Sequence, residues 1–189
     1  MGAMPISLSE ILKARERIQD MIQKTPVNHS RSVSERLGTH VILKLENQQT
    51  TGSFKIRGSL NKMLNLSKEE LARGLVCSSA GNHAQGVAYA AKVAGAKAHV
   101  VMPETAPLAK VIATQAYGAE VILKGRIYDE AYAHARELEK QKSFTFVHPY
   151  EDPHIIAGQG TLGVELTEQI PDVESVIVPI GGGGLISGV

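Results

Sequence analysis

The stretch LVCSSAGNHAQGVAYAAKVAGAKAHVVM, residues 75–102, decides the fold of this chain. It begins and ends with a short apolar run, and helical periodicity fills the space from about Asn82 to Val93. Short, continuous apolar runs separated by a helix are typical of strands that are buried on both faces. The stretch therefore predicts two parallel strands joined by a right-handed helical crossover.

The same alternation of strand and helix continues on both sides of this unit. Downstream, we expect helices at about 108–117, 128–141 and 155–170, strands at 120–123 and 175–180, and an apolar run at 144–150. Upstream, Ser7 and Glu10 form a capping box that begins a first helix, followed by a strand at 41–46 and a helix from about Lys55. Repeated units of this kind predict an α/β fold, with a parallel sheet covered by helices on both faces.

Composition and charge place the chain among ordinary globular proteins. It has 189 residues, of which 43% are apolar and 21% are charged, and 20 basic residues balance 19 acidic ones. The net charge of +1 gives no electrostatic reason to expect nucleic acid or an anionic membrane as a partner. Because Cys77 is the single cysteine, an internal disulfide is excluded. The N-terminus has no signal-peptide pattern, so we expect a cytoplasmic protein in a reducing compartment.

A run of four glycines, Gly181–Gly184, is the first candidate for a ligand site. It follows an apolar run and precedes the start of a helix, where free backbone N–H groups bind phosphate. It does not match a P-loop, which needs Lys-Ser/Thr, nor the dinucleotide fingerprint, because Ser187 occupies the place of the third glycine. The pattern favours a mononucleotide-sized phosphate ligand, and a flexible turn is the alternative.

Two further motifs carry candidate polar groups. In CSSAGNHAQG, residues 77–86, hydroxyl and backbone donors stand where a strand ends and a helix begins, which is typical of an anion site. His83 is a metal ligand, a base or a histidine hydrogen-bonded in the helix, and the lack of a second ligand at metal spacing favours the last. In TGSFKIRG, residues 51–58, Lys55 is either a solvated lysine or an amine whose pKa is lowered in a pocket, as a Schiff-base lysine needs.

Four motifs taken together resemble one enzyme family. TGSFKIRG, SSAGNHAQG, HPYEDPHIIAGQGT and PIGGGGLISG are similar, in order and spacing, to motifs of the pyridoxal-phosphate-dependent threonine dehydratase and serine racemase family. The similarity is closest to the short catabolic threonine dehydratases. It implies the fold type of tryptophan synthase β, a two-domain pyridoxal-phosphate fold of type II with its second domain truncated. Residues 1–51 and 147–189 would then belong to the large domain, and residues 52–146 would form the small cofactor domain.

The resemblance also implies roles for individual residues. Lys55 would form the covalent link to pyridoxal phosphate and act as the catalytic base, with Phe54 beside the cofactor ring. Asn82 would hydrogen-bond the 3′-oxygen of the cofactor, and would bind the substrate carboxylate together with Ser79 and His83. The cofactor phosphate would be held by Gly181, Gly182, Gly183, Gly184 and Leu185. No metal is expected.

The activity implied by the resemblance is the conversion of L-threonine to 2-oxobutyrate and ammonia, and of L-serine to pyruvate and ammonia. Two alternatives stay open, a serine racemase and a non-catalytic fragment that binds phosphate weakly. Racemases of the family carry a serine immediately before Gly-Asn, where this sequence has Ala80, which favours dehydration. We expect little or no activity from the 189-residue chain alone. The family further implies AMP or another nucleotide as an effector, and a homodimer or homotetramer.

Overall fold

A computed structural model describes residues 6–189, which form nine helices and six strands besides two short 3-10 turns. The helices are α1 (Leu8–Ile18), α2 (Arg31–Leu37), α3 (Lys55–Met63), α4 (Lys68–Arg73), α5 (Asn82–Val93), α6 (Leu108–Ala116), α7 (Tyr128–Lys142), α8 (Pro153–Gln169) and α9 (Gly184–Gly188). The strands are β1 (Val27–His29), β2 (Ile42–Lys44), β3 (Leu75–Ser78), β4 (Ala98–Met102), β5 (Glu120–Leu123) and β6 (Thr145–Phe146).

The main sheet has four parallel strands in the order β5-β4-β3-β6. Cys77 of β3 lies opposite Val100 of β4, and Val100 in turn lies opposite Val121 of β5. All residues of β3 are buried, as expected for an interior strand with helices above and below it. The α/β fold with a parallel sheet, predicted from the stretch 75–102, is confirmed.

Alternate residues of the central strands pack on opposite faces of the sheet. Cys77 and Val100 belong to the core on the side of the alanine-rich helix α5. Val76 and Val101 pack on the other side against Ala131 and Ala135 of α7. The prediction that helices cover both faces is therefore confirmed.

Helix α5 approaches α3 closely because Gly86 has no side chain. A Cβ atom at this position would lie 3.0 Å from Ser59 Oγ and 3.2 Å from the carbonyl oxygen of Lys55. The first half of α5 therefore lies directly beside the first turn of α3, which carries Lys55.

Helix α8 connects the remaining elements, since it packs against α1, α3 and α9. A Cβ atom on Gly158 would lie 2.6 Å from both Arg57 O and Gly58 Cα of α3. A Cβ atom on Gly160 would lie 2.7 Å from Gly188 O of α9. These two close approaches fix α3, and hence Lys55, relative to α9 and the glycine run before it.

The first helix begins as the sequence predicts, because Ser7 and Glu10 form a capping box. The sequence does not predict three of the elements, which are β1, α2 and α4. β1 and β2 form an antiparallel pair with α2 between them, and β2 is shorter than the strand expected at 41–46. α4 begins at a second capping box, formed by Ser67 and Glu70. No helix in the described part of the chain is long and apolar enough to cross a membrane.

The strand predicted at 175–180 is not formed. Residues 173–180 have no assigned secondary structure and pair with no strand among residues 6–189. Ile177 is 95% exposed and Ile180 is 71% exposed, so the apolar pattern that predicted a strand is not buried. A strand requires hydrogen bonds to a neighbour, and the pattern of one segment does not show whether that neighbour is present. The apolar run 144–150 likewise contains only the two-residue strand β6.

Candidate active site

Lys55 is the first residue of α3, and its side chain is partly buried. Its Nζ donates a hydrogen bond to Pro149 O at 2.6 Å and lies 5.4 Å from the centre of the Phe54 ring. Burial lowers the pKa of this amine, and no carboxylate of the described residues pairs with it. A lysine held by a neutral carbonyl loses its proton more easily than one held by a carboxylate, so Lys55 is suited to act as a nucleophile.

The end of β3 leads directly into α5 through a short polar loop. Ser79 Oγ accepts a hydrogen bond from Gly81 N at 3.3 Å, and no side chain caps the N-terminus of α5. Asn82, the first residue of this helix, is exposed. The first turn of α5 therefore has uncapped backbone donors beside the exposed side chain of Asn82 and the half-buried side chain of Ser79, an arrangement that suits an anionic group.

His83 is buried, with 3% of its surface exposed. Its Nε2 lies 3.1 Å from Val147 O, and because a carbonyl only accepts, Nε2 carries the ring proton. Burial lowers the pKa of His83 to about 3, so the ring is neutral and Nδ1 is an acceptor. Among residues 6–189, no group of three or more His, Cys, Asp or Glu side chains could hold a metal ion.

Residues 147–150 connect these groups, although the sequence alone predicts no role for this segment. Val147 O receives the hydrogen bond of His83, and Pro149 O receives that of Lys55. Tyr150 packs against the glycine run. The signal that could have identified the segment is the motif HPYEDP, in which Pro149 follows His148, with one residue between His148 and the end of β6.

Two of the four glycines of the run, Gly182 and Gly184, pack against Tyr150. A Cβ atom on Gly182 would clash with the ring of Tyr150, and one on Gly184 would lie 2.9 Å from Tyr150 Cα. Gly183 has φ of +86°, which favours glycine. The run ends at the N-terminus of α9, and close backbone approach is what a glycine-rich phosphate loop provides.

Several buried polar atoms have no hydrogen-bond partner among residues 6–189. They include Thr51 Oγ1, Ser53 Oγ, Ser59 Oγ, Ser78 Oγ and His83 Nδ1. Thr51 and Ser53 directly precede Lys55, and Ser78 ends β3, so most of these atoms belong to the two motifs expected to bind a ligand. Buried polar atoms are normally paired, and a polar ligand held beside Lys55 would provide the partners.

The sequence profile of a family described as "Pyridoxal-phosphate dependent enzyme" matches residues 18–189. The chain belongs to this family. Its cofactor is therefore pyridoxal phosphate, and the amine of Lys55 with the unpaired hydroxyl groups near it suits an aldehyde that carries polar substituents. The predicted family and fold type are confirmed.

Two relatives of this chain are named for an activity on threonine. An L-threonine ammonia-lyase of Thermotoga maritima is 53% identical over 97% of this chain and 46% of its own length. A catabolic L-threonine dehydratase, TdcB, of Staphylococcus aureus is 51% identical over 97% of this chain and 54% of its own. Among solved structures, maize serine racemase is 38% identical with a TM-score of 0.93, covering 97% of this chain and 56% of that one. The chain thus spans about half the length of the relatives it matches.

Proposed function

We propose that residues 1–189 provide the cofactor-binding part of a pyridoxal-phosphate-dependent L-threonine ammonia-lyase that also accepts L-serine. The observation that carries the proposal is the partly buried Lys55 amine on a neutral carbonyl, in a chain about half identical to named threonine ammonia-lyases. The products are 2-oxobutyrate and ammonia from threonine, and pyruvate and ammonia from serine.

Lys55 has two roles in this proposal. Its amine, which donates to Pro149 O in this structure, would hold the cofactor covalently, and with substrate bound it would act as the base that takes the Cα proton. The bound cofactor supplies an electron sink for the charge that develops at Cα. Overall, the Cα proton and the Cβ hydroxyl would leave as water, and addition of water to the imine form of the resulting enamine would release ammonia and the 2-oxo acid.

The other residues hold and orient the reacting groups. Asn82 would bind the 3′-oxygen of the cofactor. Ser79, Asn82 and His83 would bind the substrate carboxylate, and because the free ring nitrogen of His83 is an acceptor, His83 would donate through its backbone N–H at the uncapped N-terminus of α5. Phe54 packs beside the cofactor ring. The phosphate lies on the glycine run and Leu185, supported by the close backbone packing there. Charge-assisted hydrogen bonds of this type fix the Cα–H bond close to the Lys55 amine.

We also propose that the chain is divided between two domains. Residues 52–146 form the small domain, and residues 1–51 and 147–189 contribute to the large one. Because relatives extend to about twice this length, we propose that the chain alone has little or no activity and holds the cofactor weakly. An AMP or other nucleotide effector and a homodimeric or homotetrameric state are proposed by resemblance to the short catabolic enzymes.

A serine racemase is the second candidate, and the likeness to maize serine racemase favours it. Racemisation requires a proton donor on the face of Cα opposite to the lysine, and this chain has Ala80, which cannot donate, where the racemases have serine. Elimination is therefore the better supported reaction.

Product analysis tests the choice between the two reactions. The chain would be completed with the part of the Thermotoga maritima relative outside the matched region, loaded with pyridoxal phosphate and given L-threonine or L-serine. We expect 2-oxo acid and ammonia in equal amounts with little D-serine, and we expect Ala80→Ser to raise the ratio of D-serine to pyruvate. A completed chain that binds cofactor but makes mainly D-serine would reassign it to the racemases, and one that makes no 2-oxo acid would contradict the proposal.

A further inference from the structure

His148 lies between β6 and α8, and its ring shapes the turn that follows it. The Nδ1 atom accepts hydrogen bonds from Glu151 N at 2.7 Å and from Tyr150 N at 3.3 Å. A nitrogen that accepts carries no proton, so the neutral ring has its proton on Nε2. Burial lowers the pKa of His148, which agrees with a neutral ring in this position.

The Nδ1 atom of His148 accepts hydrogen bonds from both backbone N–H groups that follow it in this turn, those of Tyr150 and Glu151. Pro149, which lies between His148 and Tyr150, has no N–H group of its own. The His148 ring also packs edge-on against the Tyr150 ring, with the ring centres 4.6 Å apart. The conformation of residues 148–151 therefore depends on a local side-chain acceptor rather than on a β-ladder.

Two parts of the candidate site, Lys55 and the glycine run, contact this same turn. Pro149 O receives the Lys55 amine at 2.6 Å. Tyr150 occupies the space left free by Gly182 and Gly184, so its position sets the position of the glycine run. A shift of the turn would move both the acceptor of Lys55 and the support of the proposed phosphate loop.

We propose that His148 is a positioning residue, whose Nδ1 holds the 148–151 turn so that Pro149 O meets the Lys55 amine and Tyr150 supports the glycine run. This inference rests on the proposed function for its consequence, because the covalent link at Lys55 and the phosphate site are the groups that the turn would align. His148 itself takes no part in proton transfer.

The chain offers a matched pair of variants. In His148→Asn, the amide oxygen stands one bond from Cγ, as Nδ1 does, and can accept the same two hydrogen bonds. In His148→Gln, the oxygen lies one bond farther out, near the place of Nε2, and cannot accept them in the same geometry. Amide hydrogen exchange of Tyr150 and Glu151 in the 189-residue chain, without cofactor, measures whether the turn is held.

We expect wild type and His148→Asn to protect the two amides, and His148→Gln to lose that protection. Spectroscopic titration with pyridoxal phosphate should then show a dissociation constant raised about tenfold in His148→Gln and about twofold or less in His148→Asn. Circular dichroism confirms that both variants are folded, and if His148→Gln is not, His148→Ala replaces it.

The two readouts separate this inference from the proposed function. Equal amide protection in His148→Asn and His148→Gln would overturn the role of Nδ1. Different protection with equal cofactor affinity would overturn the link from the turn to Lys55 and the glycine run. If wild type binds no pyridoxal phosphate at Lys55, the proposed function fails, and with it the alignment role, while the exchange data still decide whether His148 holds the turn.

Discussion

For single residues, burial lowers the pKa of two groups in the candidate site. It lowers the pKa of the Lys55 amine, and it lowers that of His83 to about 3. A neutral His83 is an Nε2–H donor to Val147 O and leaves Nδ1 as an acceptor without a partner. The fold therefore keeps His83 in a single protonation state close to a lysine that must lose a proton to react.

The buried neutral His83 predicts a pH dependence of stability. Its pKa in the folded chain is about 3, below the ordinary 6.5, so below pH 6.5 the unfolded chain binds a proton that the folded chain does not. The free energy of unfolding should thus fall by about 2 kcal/mol from about pH 6.5 to 5 through His83, with a further contribution from His148. Urea unfolding at several pH values measures this slope.

His83→Gln provides the comparison, because its amide nitrogen can still donate to Val147 O but does not titrate. We expect the free energy of unfolding to fall less steeply with decreasing pH in this variant than in wild type. His40→Gln, at an exposed position, controls for the exchange of histidine for glutamine itself. Identical slopes in wild type and His83→Gln would show that His83 is not held neutral in the folded chain.

The sequence predicts Lys55, Asn82 and the glycine run as site residues because each stands in a motif that resembles those of the family, and their roles stay predictions. It could not identify Pro149 O as the acceptor of Lys55, since a backbone carbonyl has no signature in residue type. It also could not give the contact between Tyr150 and Gly182, because the two residues are distant in sequence and meet only through the packing of α8 and α9.

At the scale of elements, the crossing of α3 and α8 sets where Lys55 stands. Arg57 is fully buried in this crossing and is paired with Glu46 at 2.8 Å and with Glu165 of α8 at 2.6 Å. Lys44 adds a second cation at 2.5 Å from Glu165, so two positive charges meet two negative ones. Burial opposes the charged form of Arg57, but hydrogen bonds and the charges of both carboxylates outweigh it and raise its pKa. Paired in this way, the charges join the two helices in one orientation.

The close approach of the two helices predicts the effect of a single added methyl group. In Gly158→Ala, the new Cβ atom would lie 2.6 Å from backbone atoms of α3, which cannot rotate away. We expect the free energy of unfolding to fall by about 1–3 kcal/mol, measured by urea denaturation. Because α3 is displaced, formation of the covalent link at Lys55 should weaken as well.

Gly163→Ala in the same helix is the matched control. Alanine favours the helix over glycine by about 1 kcal/mol at both positions. The Cβ atom of Gly163→Ala, however, would contact only Val189, at 3.2 Å or more. Its stability should therefore exceed that of Gly158→Ala. Equal stabilities for the two variants would mean that the α3–α8 crossing is looser than described.

Element positions show where sequence patterns succeed and where they do not. α5 begins at Asn82 and β4 covers 98–102, as predicted, because both are specified by local periodicity and by glycines or polar residues at their ends. The predicted strand at 175–180 is not formed, because pairing depends on a distant neighbour. β1 was missed for a related reason, since three residues are too few for an alternating pattern to be recognised.

At the scale of the whole molecule, two apolar cores lie on the two faces of one parallel sheet, and the site groups lie where β3, β6 and the glycine run lead into helices. This is the edge at which open α/β sheets bind ligands. The division into domains at 51/52 and 146/147 stays a prediction. Several apolar side chains of residues 173–189 are exposed, among them Ile177 and Ile180, which supports the proposal that activity requires more of the fold than these residues provide.

Lys55 is the amine proposed to carry pyridoxal phosphate, and the other proposed roles depend on it. The most direct measurement is to incubate the 189-residue chain with the cofactor, reduce the linkage with borohydride and identify the modified lysine by peptide mass spectrometry. We expect the reduced cofactor on the peptide that contains Lys55, and no specific modification in Lys55→Ala. Modification spread over exposed lysines, or unchanged in Lys55→Ala, would contradict the account.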